Sequence, residues 1–215
     1  MRVLIINQHP KDWLGGSEIQ CDIIAKNLKE FGHEVFYGAI NPGSAQYDAT
    51  YMVLPIKRPM SFNLLRQWRL IDPEVIYWRA NQKGLLGAVL LAKLLNIKFV
   101  YGLSTIEDAR GYQYLKSRRF TKNWLNILAT PFKFLLILIK NLILKISIKL
   151  VDGVSSLNKD FLNFLPASLP NKIYHPNSME LAWGPEFEWP KKYVVWVGNI
   201  RSSKNPELYL RLAVS

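Results

Sequence analysis

Short apolar runs alternate along this chain with longer segments of helical period, and that alternation limits the fold more than any other feature. Residues 2–6 (Arg-Val-Leu-Ile-Ile) are too short for a buried helix and suit a central parallel strand. Residues 17–31 follow, with Ile19, Ile23, Ile24 and Leu28 on one helical face and Gly32 as the stop signal. Strands are predicted at residues 33–37, 50–54, 74–78, 98–103, 152–156 and 172–175, with a helix at 85–95. The fourth of the seven strands follows an Asp72-Pro73 turn signal. Strands separated by helices predict an α/β fold, a Rossmann-like parallel sheet with helices on both faces.

The texture changes near residue 176. Pro176, Gly184, Pro185 and Pro190 punctuate a stretch without clear period, and a fresh strand (193–197) and helix (206–213) follow. The expected division is a first domain over 1–175, a linker over 176–191 and the start of a second domain over 192–215. One strand and one helix cannot bury a core, so the second domain is expected to be incomplete.

Composition narrows the setting. Apolar residues form 49% of the chain, enough for a sizeable core. The lone cysteine, Cys21, lies in a helical apolar pattern and reads as a buried structural thiol. No zinc-type spacing occurs, no metal is expected, and the compartment reads as reducing and cytoplasmic. Residues 1–7 lack the features of a signal peptide.

The loop after the first strand ends in Gly15-Gly16, just before a helix that Ser17 is expected to cap. A helix start offers free amide N–H groups and positive dipole to a phosphate, and glycine allows close approach. The ordinary reading of two adjacent glycines, a flexible loop, stands beside this one. The spacing does not match G-x-G-x-x-G, and no P-loop is present, so NAD-dependent and ATPase readings fall behind.

Four segments, in order, resemble glycosyltransferase family 4, of the GT-B fold. They are the first strand with its distal Gly15-Gly16 loop, Phe31-Gly-His-Glu-Val35, His175-Pro-Asn-Ser178, and Val195-Trp-Val-Gly-Asn-Ile-Arg-Ser-Ser-Lys-Asn-Pro-Glu207. The resemblance implies two Rossmann-like domains facing across a cleft, acceptor on the first and nucleotide sugar on the second. It implies retaining glycosyl transfer to a glycan or lipid-linked acceptor, with no cofactor and the nucleotide sugar as co-substrate. By position, Gly15 and Gly16 would approach the donor diphosphate or reacting sugar, and Lys204 would neutralise the leaving group. Many members have Gly-Arg where this chain has Gly198-Asn199, and Arg201 is the candidate replacement. Ser104 falls near the position of a family histidine, and Glu107 and Asp108 follow; these three are the catalytic candidates, with a solvated helix start as the plainer reading of the two carboxylates. His9 and Ser17 are the acceptor-side candidates. The family's E-x7-E donor motif is not in these residues, so the chain alone is expected to be inactive. The alternative is a non-catalytic glycosyltransferase-like module for binding or membrane association.

The net charge is +12, and between Ala109 and Val151 there is no acidic residue. Residues 124–151 are apolar but broken by Lys133, Lys140, Lys145 and Lys149, which argues against a spanning helix and for one lying at a membrane interface. Arg118, Arg119, Lys122, Lys133 and Lys140 are the candidate contacts to an anionic surface. The plainer reading is a packed helix with lysines at its rim. A peripheral position on the inner face of the plasma membrane is expected. Nucleic acid is not expected as a partner: Tyr77, Trp78, Phe99 and Tyr101 lie in strand patterns that core packing explains.

Overall fold

The computed structural model describes residues 1–43, 46–56, 62–80, 84–110, 130–169, 171–176, and Glu207, Leu208 and Arg211. The chain divides into two compact units, Met1–Glu180 and Leu181–Ser215. The fold below is that of the first. The strand expected at 193–197, the linker up to residue 191, and most of the helix at 206–213 lie outside the described residues.

Seven parallel strands form one sheet in the order β3-β2-β1-β4-β5-β6-β7. The strands are β1 (Arg2–Asn7), β2 (Glu34–Ile40), β3 (Met52–Ile56), β4 (Val75–Trp78), β5 (Lys98–Leu103), β6 (Gly153–Ser156) and β7 (Lys172–Tyr174). The helices are α1 (Gly16–Glu30), α2 (Phe62–Ile71), α3 (Leu85–Leu94), α4 (Ile106–Arg110), α5 (Thr130–Leu150) and α6 (Lys159–Leu162). This is a Rossmann-like α/β fold.

The period-2 geometry of β1 explains the two-layered core. Val3 and Ile5 point to one face, where they pack with Cys21 and Ala25 of α1 and with Val35, Tyr37 and Tyr51. Leu4 and Ile6 point to the other, where Leu64 and Trp68 of α2, Leu85, Ala88 and Val89 of α3, and Leu144 and Ile148 of α5 cover the sheet. A strand covered on both sides needs apolar residues throughout, which is why β1 reads as a continuous run and not as an alternation.

Helix ends follow local chemistry. Gly32 takes φ +79, and His33 N–H returns to the Leu28 carbonyl at 3.0 Å, closing α1. Asn96, at φ 56, ends α3 in the same way, with Ile97 N–H on the Ala92 carbonyl at 2.8 Å. Strand β3 begins two residues later than its sequence suggests, and it includes Pro55. A proline is tolerated there because β3 is an edge strand. Helix α2 was not expected from the sequence, although Leu64, Trp68 and Ile71 carry its buried face at helical spacing.

Trp68 is 1% exposed and its indole N–H has no hydrogen-bond partner among the described residues. Truncation and ring exchange at this position therefore have different consequences. Trp68→Ala is expected to destabilise the fold by about 3–5 kcal/mol through the cavity it leaves. Trp68→Phe is expected to stay within about 1 kcal/mol of the parent, because losing an unsatisfied buried donor offsets the lost ring volume. Urea unfolding of both variants measures the contrast.

Candidate functional site

The chain runs from β1 outward to β3, then crosses to β4 on the other side of β1. Neighbouring crossovers thus leave β1 and β4 in opposite directions, which makes the carboxyl ends of these two strands the switch point of the sheet. Residues that follow β4, β5 and β7 meet at this edge: Arg79 touches Ser104, and its charge reaches His175.

Arg79 directly follows β4. Its backbone N–H donates to the Ile6 carbonyl at 3.0 Å, which extends the β1–β4 ladder and fixes the residue at the sheet edge. The side chain is 6% exposed. Its Nε donates to Ser104 Oγ at 3.4 Å, and the guanidinium also lies beside the Cys21 sulfur on α1 and the Tyr77 hydroxyl. Nη1 has no hydrogen-bond partner among the described residues. A buried guanidinium with an open donor is a strong attractor for an anion, since leaving such a group unpaired is costly.

The elements around Arg79 are shaped to hold it. A Cβ on Gly102 would lie 2.6 Å from the Tyr77 hydroxyl and 3.3 Å from Arg79 Cγ, so β5 needs glycine where Tyr77 and Arg79 cross it. Ser155 Oγ donates to the Tyr77 hydroxyl at 3.1 Å. Asp108, 6% exposed, accepts from Ser104 N–H at 3.0 Å and Thr105 N–H at 2.7 Å. It pins the turn into α4, and with it the Ser104 hydroxyl that Arg79 touches. Asp108 is thus a buried capping carboxylate, and the solvated helix start expected of it is corrected; the sequence Thr105-Ile-Glu-Asp108 carries the capping spacing. The side chain of Glu107 lies outside the described residues.

At the opposite lip, α1 begins at Gly16 with Gly15 as its N-cap, and no side chain caps it. Ser17 was expected to do so; instead its hydroxyl donates to Glu18 Oε1 at 2.6 Å. Gly15 has an extended backbone (φ −144), so neither glycine is required by strain. A Cβ on Gly16 would meet nothing within 4 Å. The space beside Gly16 is open, whereas a Cβ on Gly15 would collide with Glu18 Oε2, so the Glu18 carboxylate sits against the N-cap.

His9 lies in the β1–α1 loop and is 3% exposed. Its Nδ1 accepts from Lys11 N–H at 3.2 Å, and its Nε2 lies 3.3 Å from the Tyr51 hydroxyl, which donates to Asp22 Oδ1. One protonation pattern satisfies all three: His9 neutral, with Nε2–H donating to Tyr51. Burial lowers the His9 pKa below 6.5, outweighing the pull of Asp22 and Asp12. Tyr37 and Tyr47 pack edge-on against the ring, and Tyr47 donates to Asp12 Oδ2 at 2.6 Å. Nδ1 is engaged by the loop's own backbone and Nε2 by Tyr51 just ahead of β3, so this residue anchors its own segment. Burial also pushes the Cys21 thiol up to about 12, against the opposing effect of Arg79, and it stays protonated.

His175 follows β7, with its N–H on the Ser156 carbonyl at 3.1 Å. Burial lowers its pKa, and Arg79 lowers it further, against a hydrogen bond to the backbone of Pro176. Among the described residues, no group of three or more His, Cys, Asp or Glu is arranged to hold a metal ion. Arg201 and Lys204, assigned to the diphosphate by resemblance, lie outside the described residues, as do Arg118, Arg119, Lys122 and the side chain of Lys133. Lys140 is exposed on α5. Arg79, Tyr77, Tyr51 and Asp22 were missed at the sequence level. For Arg79 the signal was available: a charged residue at the carboxyl end of a buried strand.

No protein-family model matches the sequence, and no curated protein matches it. Solved structures of similar fold include a hypothetical dTDP-4-dehydrorhamnose reductase from Sulfolobus tokodaii, with TM-score 0.41 and 17% identity over 73% of this chain and 56% of that one. An alpha-glucosyltransferase, solved with UDP and a 13-mer DNA containing a central A:G mismatch, has TM-score 0.43 and 12% identity over 81% of this chain and 40% of its own. A dihydrodipicolinate reductase from a Paenisporosarcina species has TM-score 0.37 and 14% identity over 86% and 73%. The chain spans about half the length of the first two. At these identities the likeness is one of fold.

Two histidines held neutral make stability fall in acid. The unfolded chain takes up protons near pH 6.5, before His9 and His175 do so in the folded state. Their contribution is therefore present above that pH and is lost as the pH falls through it. The Tm is expected to drop between about pH 7.5 and about pH 5.5. His9→Gln should flatten that slope, which thermal melts across the range will measure.

Proposed function

We propose that this chain is the acceptor-side part of a sugar-nucleotide-dependent glycosyltransferase, and that the β1–β4 crevice takes the anionic part of the donor. The observation that carries this reading is Arg79, buried at the switch point of the sheet and with Nη1 unpartnered among the described residues. The order of the four family-like segments supports it independently. In the transfer, the bond from the anomeric carbon to the diphosphate oxygen breaks, and a bond to an acceptor hydroxyl forms. The diphosphate leaves with the electron pair and the acceptor proton is released. Charge builds on the leaving group, where a guanidinium and an uncapped helix start are stabilising. The acceptor is a glycan or a lipid-linked sugar.

Two substitutions separate binding from folding. Gly16→Ala occupies open space at a helical position, so stability is expected to hold or rise by about 0.4–1 kcal/mol. Affinity for a diphosphate that approaches this backbone should fall. Arg79→Met removes a buried charge and keeps its volume, so stability should fall by no more than about 1 kcal/mol. Affinity should fall about tenfold to a hundredfold, the weight of one or two charge-assisted hydrogen bonds. Calorimetric titration of the chain with UDP-, GDP-, ADP- and dTDP-sugars, and with pyrophosphate, makes the measurement. Binding of none of these, or binding indifferent to Arg79→Met, would overturn the proposal. Tight binding of NADH in their place would assign the crevice to a dinucleotide.

A further inference from the structure

We infer that the outward face of α5 docks on an anionic phospholipid bilayer, with the groove beside it receiving a lipid headgroup. The inference goes beyond the glycosyl-transfer reading and stands on separate observations. A surface helix ordinarily turns a polar face to water. In α5, Leu144, Ser147 and Ile148 face inward, at 5%, 0% and 3% exposure. The opposite face carries Leu135, Ile139, Leu142 and Ile146, spaced four, three and four residues apart. They are 52%, 43%, 58% and 41% exposed. The helix is thus apolar on both sides. Among the described residues no helix is long and apolar enough to cross a membrane, so the face suits one that lies along its surface.

Charge selects the occupant. Lys145 and Lys149 flank the stripe and are exposed. With Arg110 they line a cavity of about 500 Å³ between α4, α5 and the segment after α6. Among the described residues no acidic side chain lines it, and Phe164, Leu142 and Ile146 supply apolar wall. Arg110 lies over the Phe164 ring at 3.8 Å, which holds the guanidinium at the rim. A cationic rim on an apolar groove matches a phosphate headgroup above acyl chains. A second copy of the chain matches poorly. A two-fold pairing of this stripe would set Lys145 and Lys149 against like charges, with no acid between Ala109 and Val151 to neutralise them.

Co-sedimentation with phosphatidylcholine vesicles, with and without phosphatidylglycerol, tests the inference at low salt. The chain is expected to pellet with the anionic vesicles and to release as salt rises. Replacing both lysines by Lys145→Gln and Lys149→Gln should weaken binding about 30-fold, at about fivefold for each charge near the surface. Leu142→Glu with Ile146→Glu should abolish it; both positions are exposed, and an unchanged far-UV circular dichroism spectrum verifies the fold. No pelleting of the parent chain overturns the inference, as does pelleting unaffected by both variant pairs. A dimer in sedimentation velocity, broken by Leu142→Glu with Ile146→Glu and accompanied by no vesicle binding, gives the face to a second copy instead. None of these results bears on sugar-nucleotide binding, which is measured without lipid.

Discussion

Backbone pairing of β1 with β2 on one side and β4 on the other governs the rest of this molecule. Both faces of β1 are closed by helices, so its register admits no slip without moving Leu4 and Ile6 into the wrong layer. All seven strands are parallel, and they therefore deliver their carboxyl ends to one edge. Asn7, Arg79, Ser104, Ser156 and His175 come from far-apart stretches of chain and arrive at that edge through this single restraint. The chemistry at the crevice is a consequence of strand direction before it is a consequence of any one side chain.

Arg79 shows how the edge is tuned. Among the described residues no carboxylate pairs with its buried guanidinium, and for such a group an apolar residue of equal volume would serve the fold at least as well. Its neighbours nevertheless accommodate it: glycine at 102 leaves room, Asp108 fixes the Ser104 turn, and Ser155 orients Tyr77. Several elements spend their local choices on one cation. That arrangement makes sense where the missing partner is an anion that comes and goes.

Much of the architecture was legible in the sequence because fully buried parallel strands leave continuous apolar runs. β1, β4, β5 and β6 were placed within a residue or so at each end on that signal, β7 was placed as closely although it is an exposed edge strand, and Gly32 marked the end of α1. Strand β3 was misplaced by two residues because an edge strand is only partly buried, and its Met-Val-Leu-Pro-Ile pattern carries a weaker signal. The site was less legible. Gly15 and Gly16 were visible as a motif, whereas the burial of Arg79 depends on β5 and α1 arriving beside it, which no local pattern encodes. For the same reason the sequence offered His9 only as an acceptor-side candidate and not as an enclosed residue: Tyr37, Tyr47 and Tyr51 surround it from positions 28 to 42 residues away.

The contacts around His9 also bear on how the crevice meets a ligand. Lys11, Tyr51 and Asp22 tie the first half of the β1–α1 loop, and Tyr47 and Gly43 hold Asp12 from the other side. The conformational entropy of that segment is surrendered when the chain folds. An incoming molecule consequently meets a preorganised wall, and its association free energy is not diminished by having to immobilise the loop itself.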